Sequence, residues 1–119
     1  KNKITVLKHL HRKEFLVLTT NATCLVGNSS AGILESPSLR VPVVNIGDRQ
    51  QKREQNENIV NSKYSVKDIK LSISKCLSLK KKITKIKNLH GDGKSSIRLL
   101  KIIKNLKVSK KLLNKDTTY

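Results

Sequence analysis

Two short stretches carry side chains that could do chemistry. Residues 27–35 read GNSSAGILE, and residues 47–50 read GDRQ. The first places Gly27, Asn28, Ser29, Ser30 and Gly32 directly after an apolar run, TCLVG. If that run is a strand and residues 31–36 a short helix, the first helical N–H groups lack partners inside the helix. Small residues let an anion approach the backbone, and Asn-Ser-Ser adds side-chain donors, so the turn suits a phosphate. Ser29, Gly32 and Glu35 are spaced three apart and share one side of the helix. A carboxylate that far past a phosphate is placed to accept from neighbouring hydroxyls, and a ribose has two. Arg49 follows the end of the next apolar run, where a guanidinium helps neutralise a diphosphate. Spacing alone leaves a second reading open, in which GNSS only caps a helix and Glu35 is a surface charge.

These residues need elements to hold them. The apolar runs at 4–8, 23–27, 41–47 and 56–62 read as short strands. The run VPVVNIG has no polar alternation until its end, as expected of a strand covered on both faces. Residues 11–20 fit an amphipathic helix of two to three turns, with Leu10, Phe15, Leu16 and Leu18 on its apolar side. Pro37 is expected to stop the helix over 31–36. Residues 65–79 have apolar side chains at 66, 69, 73, 76, 77 and 79, opened by Ser65 with Asp68 three on. HGDGKSS reads as a turn closed by Asp92, with Ser95 or Ser96 capping a last amphipathic helix over 96–106. Residues 107–119 read as a basic, frayed tail. Strands alternating with helices argue an α/β fold: a partial Rossmann-like parallel sheet flanked by helices. In such sheets ligands bind beyond the carboxyl ends of the strands.

Composition excludes several functions. The chain has 119 residues, 36% apolar and only 3% aromatic, so its core must be aliphatic. There is no Met, and patterning begins at once with ITVL, so the chain reads as a fragment with sequence missing before Lys1. The net charge of +18 invites a nucleic-acid reading. Against it, 21 of the 26 basic residues are Lys, beside abundant Ile and Asn, which is the mark of A/T-rich codons. Aromatic residues for base stacking are nearly absent. No run approaches the roughly 20 apolar residues of a membrane span. Cys24 and Cys76 sit in apolar segments without C-x-x-C spacing and read as free thiols in a cytoplasmic protein. His9 and His11 make no closed metal shell. GDGK resembles half a P-loop, but Asn88 stands where the full pattern needs Gly.

The stretch LVGNSSAGILESPSLRVPVVNIGDRQQKREQNENIV resembles the carboxyl-terminal domain of UDP-N-acetylglucosamine 2-epimerases, in particular their hydrolysing branch. The similarity extends from KHLHRKEFLVL to HGDGKSSIRLLKII. The block GNSSxGxxE, with Arg fourteen residues after the Glu, carries it. The resemblance implies a GT-B-like, two-domain enzyme with a nucleotide sugar in the cleft between its domains. Residues 1–106 would then be the UDP-binding Rossmann-like domain, with the amino-terminal domain absent. It further implies that Ser29 and Ser30 hold the UDP phosphates, Glu35 the ribose and Arg49 the diphosphate end. The backbone near Leu10 would meet the uracil, and Gly27, Asn28 and Gly32 would support the turn. Neither cofactor nor metal is implied.

The same resemblance implies the chemistry. A base removes the proton at C2 of the sugar while UDP departs from C1, giving a 2-acetamidoglucal. Water then adds, releasing UDP and an N-acetylmannosamine-type sugar for sialic acid biosynthesis. The acid and base carboxylates come from the family's amino-terminal domain, so no catalytic residue is expected in this chain. A homo-oligomer is compatible with this reading; nucleic acid and membrane partners are not expected. A non-hydrolysing epimerase, another GT-B nucleotide-sugar enzyme and a basic nucleic-acid module are the alternatives.

Overall fold

The computed structural model describes residues 3–113. Helix α1 (Arg12–Asn21) leads to strand β1 (Leu25–Gly27), then to helices α2 (Ser30–Leu34) and α3 (Ser36–Leu39). Strands β2 (Val43–Ile46) and β3 (Ile59–Ser62) follow. Helix α4 (Val66–Leu79), a 3-10 turn (Ile83–Lys85), α5 (Ser95–Lys104) and α6 (Lys110–Leu113) complete the order.

The three strands form one parallel sheet in the order β1-β2-β3. Leu25 pairs with Val43, and Gly27 pairs with Asn45. Ile46 pairs with Ser62. Val43 and Val44 are both buried. Successive strand residues point to opposite faces, so both faces of β2 are covered. Ile33, Val41, Cys76 and Ile83 complete an aliphatic core. Helix α2 packs on β1 and β2, and α4 on β2 and β3. Gly32 makes the first contact possible: a Cβ there would lie 3.1 Å from Val43 Cγ1.

Several sequence expectations change. Residues 4–8 form no strand; Ile4 and Val6 are exposed. β-branched residues favour strands through cross-strand packing, and among the described residues no strand pairs with this segment. Pro37 does not stop the helical path but lies in the first turn of α3. There a missing N–H costs nothing, because that N–H has no intrahelical partner anyway. The apolar side of α4 is narrower than the pattern suggested: Val66 and Leu77 are exposed, and Ser72 joins Cys76 inside. Ser65 does cap α4, its Oγ accepting from Asp68 N–H and donating to Asp68 Oδ2. The tail is helical at 110–113, and residues 114–119 lie outside the described ones. Among the described residues no helix is long and apolar enough to cross a membrane.

The turn before α5 is built differently from expectation. Lys94, not Ser95 or Ser96, is the helix cap residue. Asp92 closes the turn: its Oδ1 accepts from Lys94 N–H at 3.0 Å, and Arg98 grips both carboxylate oxygens at 2.9 and 2.6 Å. These contacts, the guanidinium first, lower the Asp92 pKa from 3.8 to about 2. A lowered folded-state value means stabilisation that is present above pH 3.8 and lost as pH falls toward 2. A carboxyl-carbon NMR titration should therefore find a midpoint near 2, returning toward 3.8 in Arg98→Ala.

Candidate functional site

The carboxyl ends of β1 and β2 lie side by side, since Gly27 pairs with Asn45 in parallel register. Each strand therefore delivers its following loop to the same edge of the sheet. After β1 comes the turn Asn28-Ser29-Ser30; after β2 comes Gly47-Asp48-Arg49-Gln50. Ser29 caps α2, its Oγ accepting from Ala31 N–H at 3.3 Å. That leaves the Ser29 hydroxyl proton to donate. Gly32 N–H bonds to Ser29 C=O at 3.1 Å, so it is not available to a ligand. Among the described residues, the N–H groups of Ser29 and Ser30 have no acceptor. Helix α2 has only five residues. The turn therefore offers two unpaired N–H groups and hydroxyls rather than the field of a long helix.

The small cavity beneath the turn measures about 80 Å³ and is walled by Phe15, Leu25 and Val43 besides Gly27, Ser29 and Gly32. Its lining is largely apolar, so the cavity itself does not suit an anion. Gly32 accordingly serves the packing of α2 on β2 rather than anion access.

A residue that sequence reasoning missed joins the two loops. Gln50 is buried, and its Nε2 donates to Asn28 C=O at 2.9 Å. Its backbone carbonyl accepts from Gln55 Nε2 at 3.1 Å, while its side-chain Oε1 is buried without a hydrogen-bond partner. Gln55 Oε1 accepts from Asn61 Nδ2, and Asn61 Oδ1 from Asn45 Nδ2, each at 2.8 Å. A relay of amides thus runs from the end of β3 to the Asn28–Ser30 turn. It is needed because residues 47–58, which join the parallel strands β2 and β3, contain no helix. Side-chain amides supply the hydrogen bonds that a helical backbone would have made.

Arg49 stands one residue before this tether and is exposed. It makes no ion pair among the described residues. Its loop is thereby fixed against the Asn28–Ser30 turn while its own guanidinium is unengaged. Glu35 is engaged. Arg12 Nη1 donates to its Oε1 at 3.1 Å, and Nη2 lies 2.8 Å from Oε2. The second contact lacks hydrogen-bond alignment, and Oε2 is buried without a hydrogen-bond partner. Glu35 thus holds a charge partner, with its Oε2 closed off from solvent against the guanidinium. Nothing in the sequence linked Arg12 to it across 23 positions. Leu10 is half-buried just before α1 and lines a separate hollow with Lys13, Glu14, Val17 and Leu18. It does not line the cavity under the turn. Among the described residues no three His, Cys, Asp or Glu side chains cluster as a metal site.

The profile of the UDP-N-acetylglucosamine 2-epimerase family matches residues 1–104. The chain belongs to that family. Its relatives include the UDP-N,N'-diacetylbacillosamine 2-epimerase (hydrolyzing) of Legionella pneumophila, 37% identical over 116 residues. That alignment covers 98% of the chain and 30% of the relative. The UDP-N-acetylglucosamine 2-epimerase of Neisseria meningitidis is 38% identical over 80 residues, 67% of the chain and 21% of that protein. The GDP/UDP-N,N'-diacetylbacillosamine 2-epimerase (hydrolyzing) of Campylobacter jejuni is 39% identical over 64 residues, 54% of the chain and 17% of that protein. The chain thus spans less than a third of the length of these relatives.

Proposed function

We propose that this chain is the UDP-binding part of a hydrolysing UDP-sugar 2-epimerase. The reaction converts a UDP-linked 2-acetamido sugar and water into UDP and the free 2-epimer, by elimination and then hydration. One observation carries the reading: the unpaired N–H groups of Ser29 and Ser30 share a sheet edge with Arg49, whose loop Gln50 ties to the turn. These groups take the diphosphate. Glu35 takes the ribose hydroxyls, and the backbone near Leu10 meets the uracil. The family match over 104 residues supports the assignment, and hydrolysing relatives at 37% and 39% identity support the branch.

In this reaction negative charge grows on the departing diphosphate. Donors fixed in place before bond cleavage stabilise that charge without reorganising. The turn and Arg49 therefore stabilise the leaving group. Proton transfer at C2 is not their work, and the acidic side chains beside the turn are Glu35, paired with Arg12, and Asp48. Those proton-transfer groups belong to a second domain that closes over the sugar. The exposed apolar side chains of α5, among them Ile97, Leu99, Ile102 and Ile103, agree with further protein contacts.

Calorimetric titration of the chain with UDP tests the binding reading; saturable binding is expected, and its absence at millimolar UDP would overturn it. Incubating the same chain with UDP-N-acetylglucosamine tests the division of labour. No UDP is expected to be released, and release above blank would place the proton-transfer groups within these 119 residues.

A further inference from the structure

The GDGK turn plays no part in UDP binding as proposed above. It lies against the end of α3, and a hollow of about 500 Å³ opens between them. Arg40, the residue that ends α3, stands three positions before β2 begins. The hollow therefore sits at the entry end of β2. The Asn28–Ser30 turn and Arg49 sit at the exit end, and four strand residues at about 3.3 Å each set the two roughly 13 Å apart. We infer that this hollow is a second binding site, for a small organic oxyanion: a phosphate or carboxylate carried on a neutral polar body. It shares no residue with the proposed UDP site.

The charge of the hollow is positive and unengaged. Arg40 and Lys87 line it, both exposed, and neither makes an ion pair among the described residues. Asp92 is the one carboxylate in the lining, and Arg98 already holds both of its oxygens. The turn adds backbone donors. Gly91 and Gly93 line the hollow, and among the described residues their N–H groups have no acceptor. Nothing lies within 4 Å of where a Cβ would stand at either glycine, so a ligand can approach the backbone closely. Guanidinium, ammonium and open amide N–H groups are the donors that hold oxyanions.

The walls are fixed without a ligand. Asn88 Nδ2 donates to Ser38 Oγ at 2.8 Å, which ties the turn to α3, and Asn88 Oδ1 accepts from His90 N–H at 2.9 Å. Leu89 N–H donates to Oδ1 of the buried Asn56 at 2.8 Å. Ser38 Oγ accepts from Asn88 and keeps its own proton for a ligand. Pro37 and Ile86 add apolar surface. The volume lies within the range of about 300–1,000 Å³ usual for small-molecule sites, and a bare inorganic ion would leave most of it unfilled. The anionic group is therefore carried on a larger body.

Amide NMR spectra of the full chain, titrated separately with glucose 6-phosphate, gluconate and glucose, test the assignment and tell phosphate from carboxylate. Saturable shifts are expected at residues 38, 40, 87, 91 and 93 with at least one of the two anions, and none with glucose. Arg40→Gly should lower that affinity about tenfold or more. The variant should melt no lower than the native chain, because Arg40 sits at φ 54 in the left-handed region, at a helix end where Gly is the usual residue. Lys87→Ala should lower affinity about three- to tenfold. Lys81→Ala, an equal change of charge just past α4, should leave it unchanged. No saturable shift with either anion, an equal response to glucose, or equal losses in Arg40→Gly and Lys81→Ala would overturn the site.

Discussion

Arg49→Ala is expected to weaken UDP binding about ten- to a hundredfold, the scale of losing a charge-assisted hydrogen bond to a diphosphate. The guanidinium is exposed and makes no ion pair among the described residues, so its removal breaks no fold contact there. The loop stays in place because Gln50, and not Arg49, carries the bond to Asn28. Melting temperature should therefore hardly move while affinity falls. Raising ionic strength should weaken UDP binding by the native chain and much less by the variant. Lys81→Ala removes an equal charge just past α4 and should change neither quantity. Calorimetry at two salt concentrations checks all three. Equal losses for the two variants would mean that only net charge attracts the ligand, and the assigned site would fall.

The second large effect concerns stability. Asn58 is fully buried just before β3. Its Nδ2 donates to Ser36 Oγ and to Val41 C=O, both at 2.8 Å, and Ser36 Oγ in turn donates to Gly32 C=O. One amide thus fastens α2, α3 and the start of β2 to the crossover that enters β3. Asn58→Ala leaves a buried carbonyl without its donor and a void where the amide stood. The loss should be about 1–3 kcal/mol. It is not larger because Asn58 Oδ1 has no partner, and deleting an unpaired acceptor returns part of the cost. Asn58→Asp should be worse than Asn58→Ala, since it replaces the donor with an acceptor and buries a charge. Urea denaturation of the three proteins checks the order. A reversed order would show that the amide is not the fastening point.

The parts of the fold legible in the sequence were those set by local pattern. The runs at 23–27, 41–47 and 56–62 are bounded by Gly, Pro or polar residues and became β1, β2 and β3. Ser65 with Asp68 announced the start of α4. The run ITVLK looked equally strand-like, but a strand exists only beside another, and pattern within five residues carries no such information. The candidate site divides the same way. Ser29, Ser30 and Arg49 were visible as types at strand ends, and parallel pairing of β1 with β2 brings their loops to one edge. The Arg12–Glu35 pair and the tether from Gln50 to Asn28 span 23 and 22 positions and have no local signature. The abundance of Asn also pointed elsewhere. It read as codon bias, yet Asn45, Asn56 and Asn58 are buried, and all three donate or accept defined hydrogen bonds.

The amide relay has a consequence for the electric environment of the proposed nucleotide site. Carboxylates or ammonium groups could have tethered the same loops, but each would have placed a fixed charge close to the position proposed for the diphosphate. Amides hold the loops with dipoles alone and neither gain nor lose a proton across the range in which phosphates titrate. The tether between the two loops is therefore indifferent to acidity.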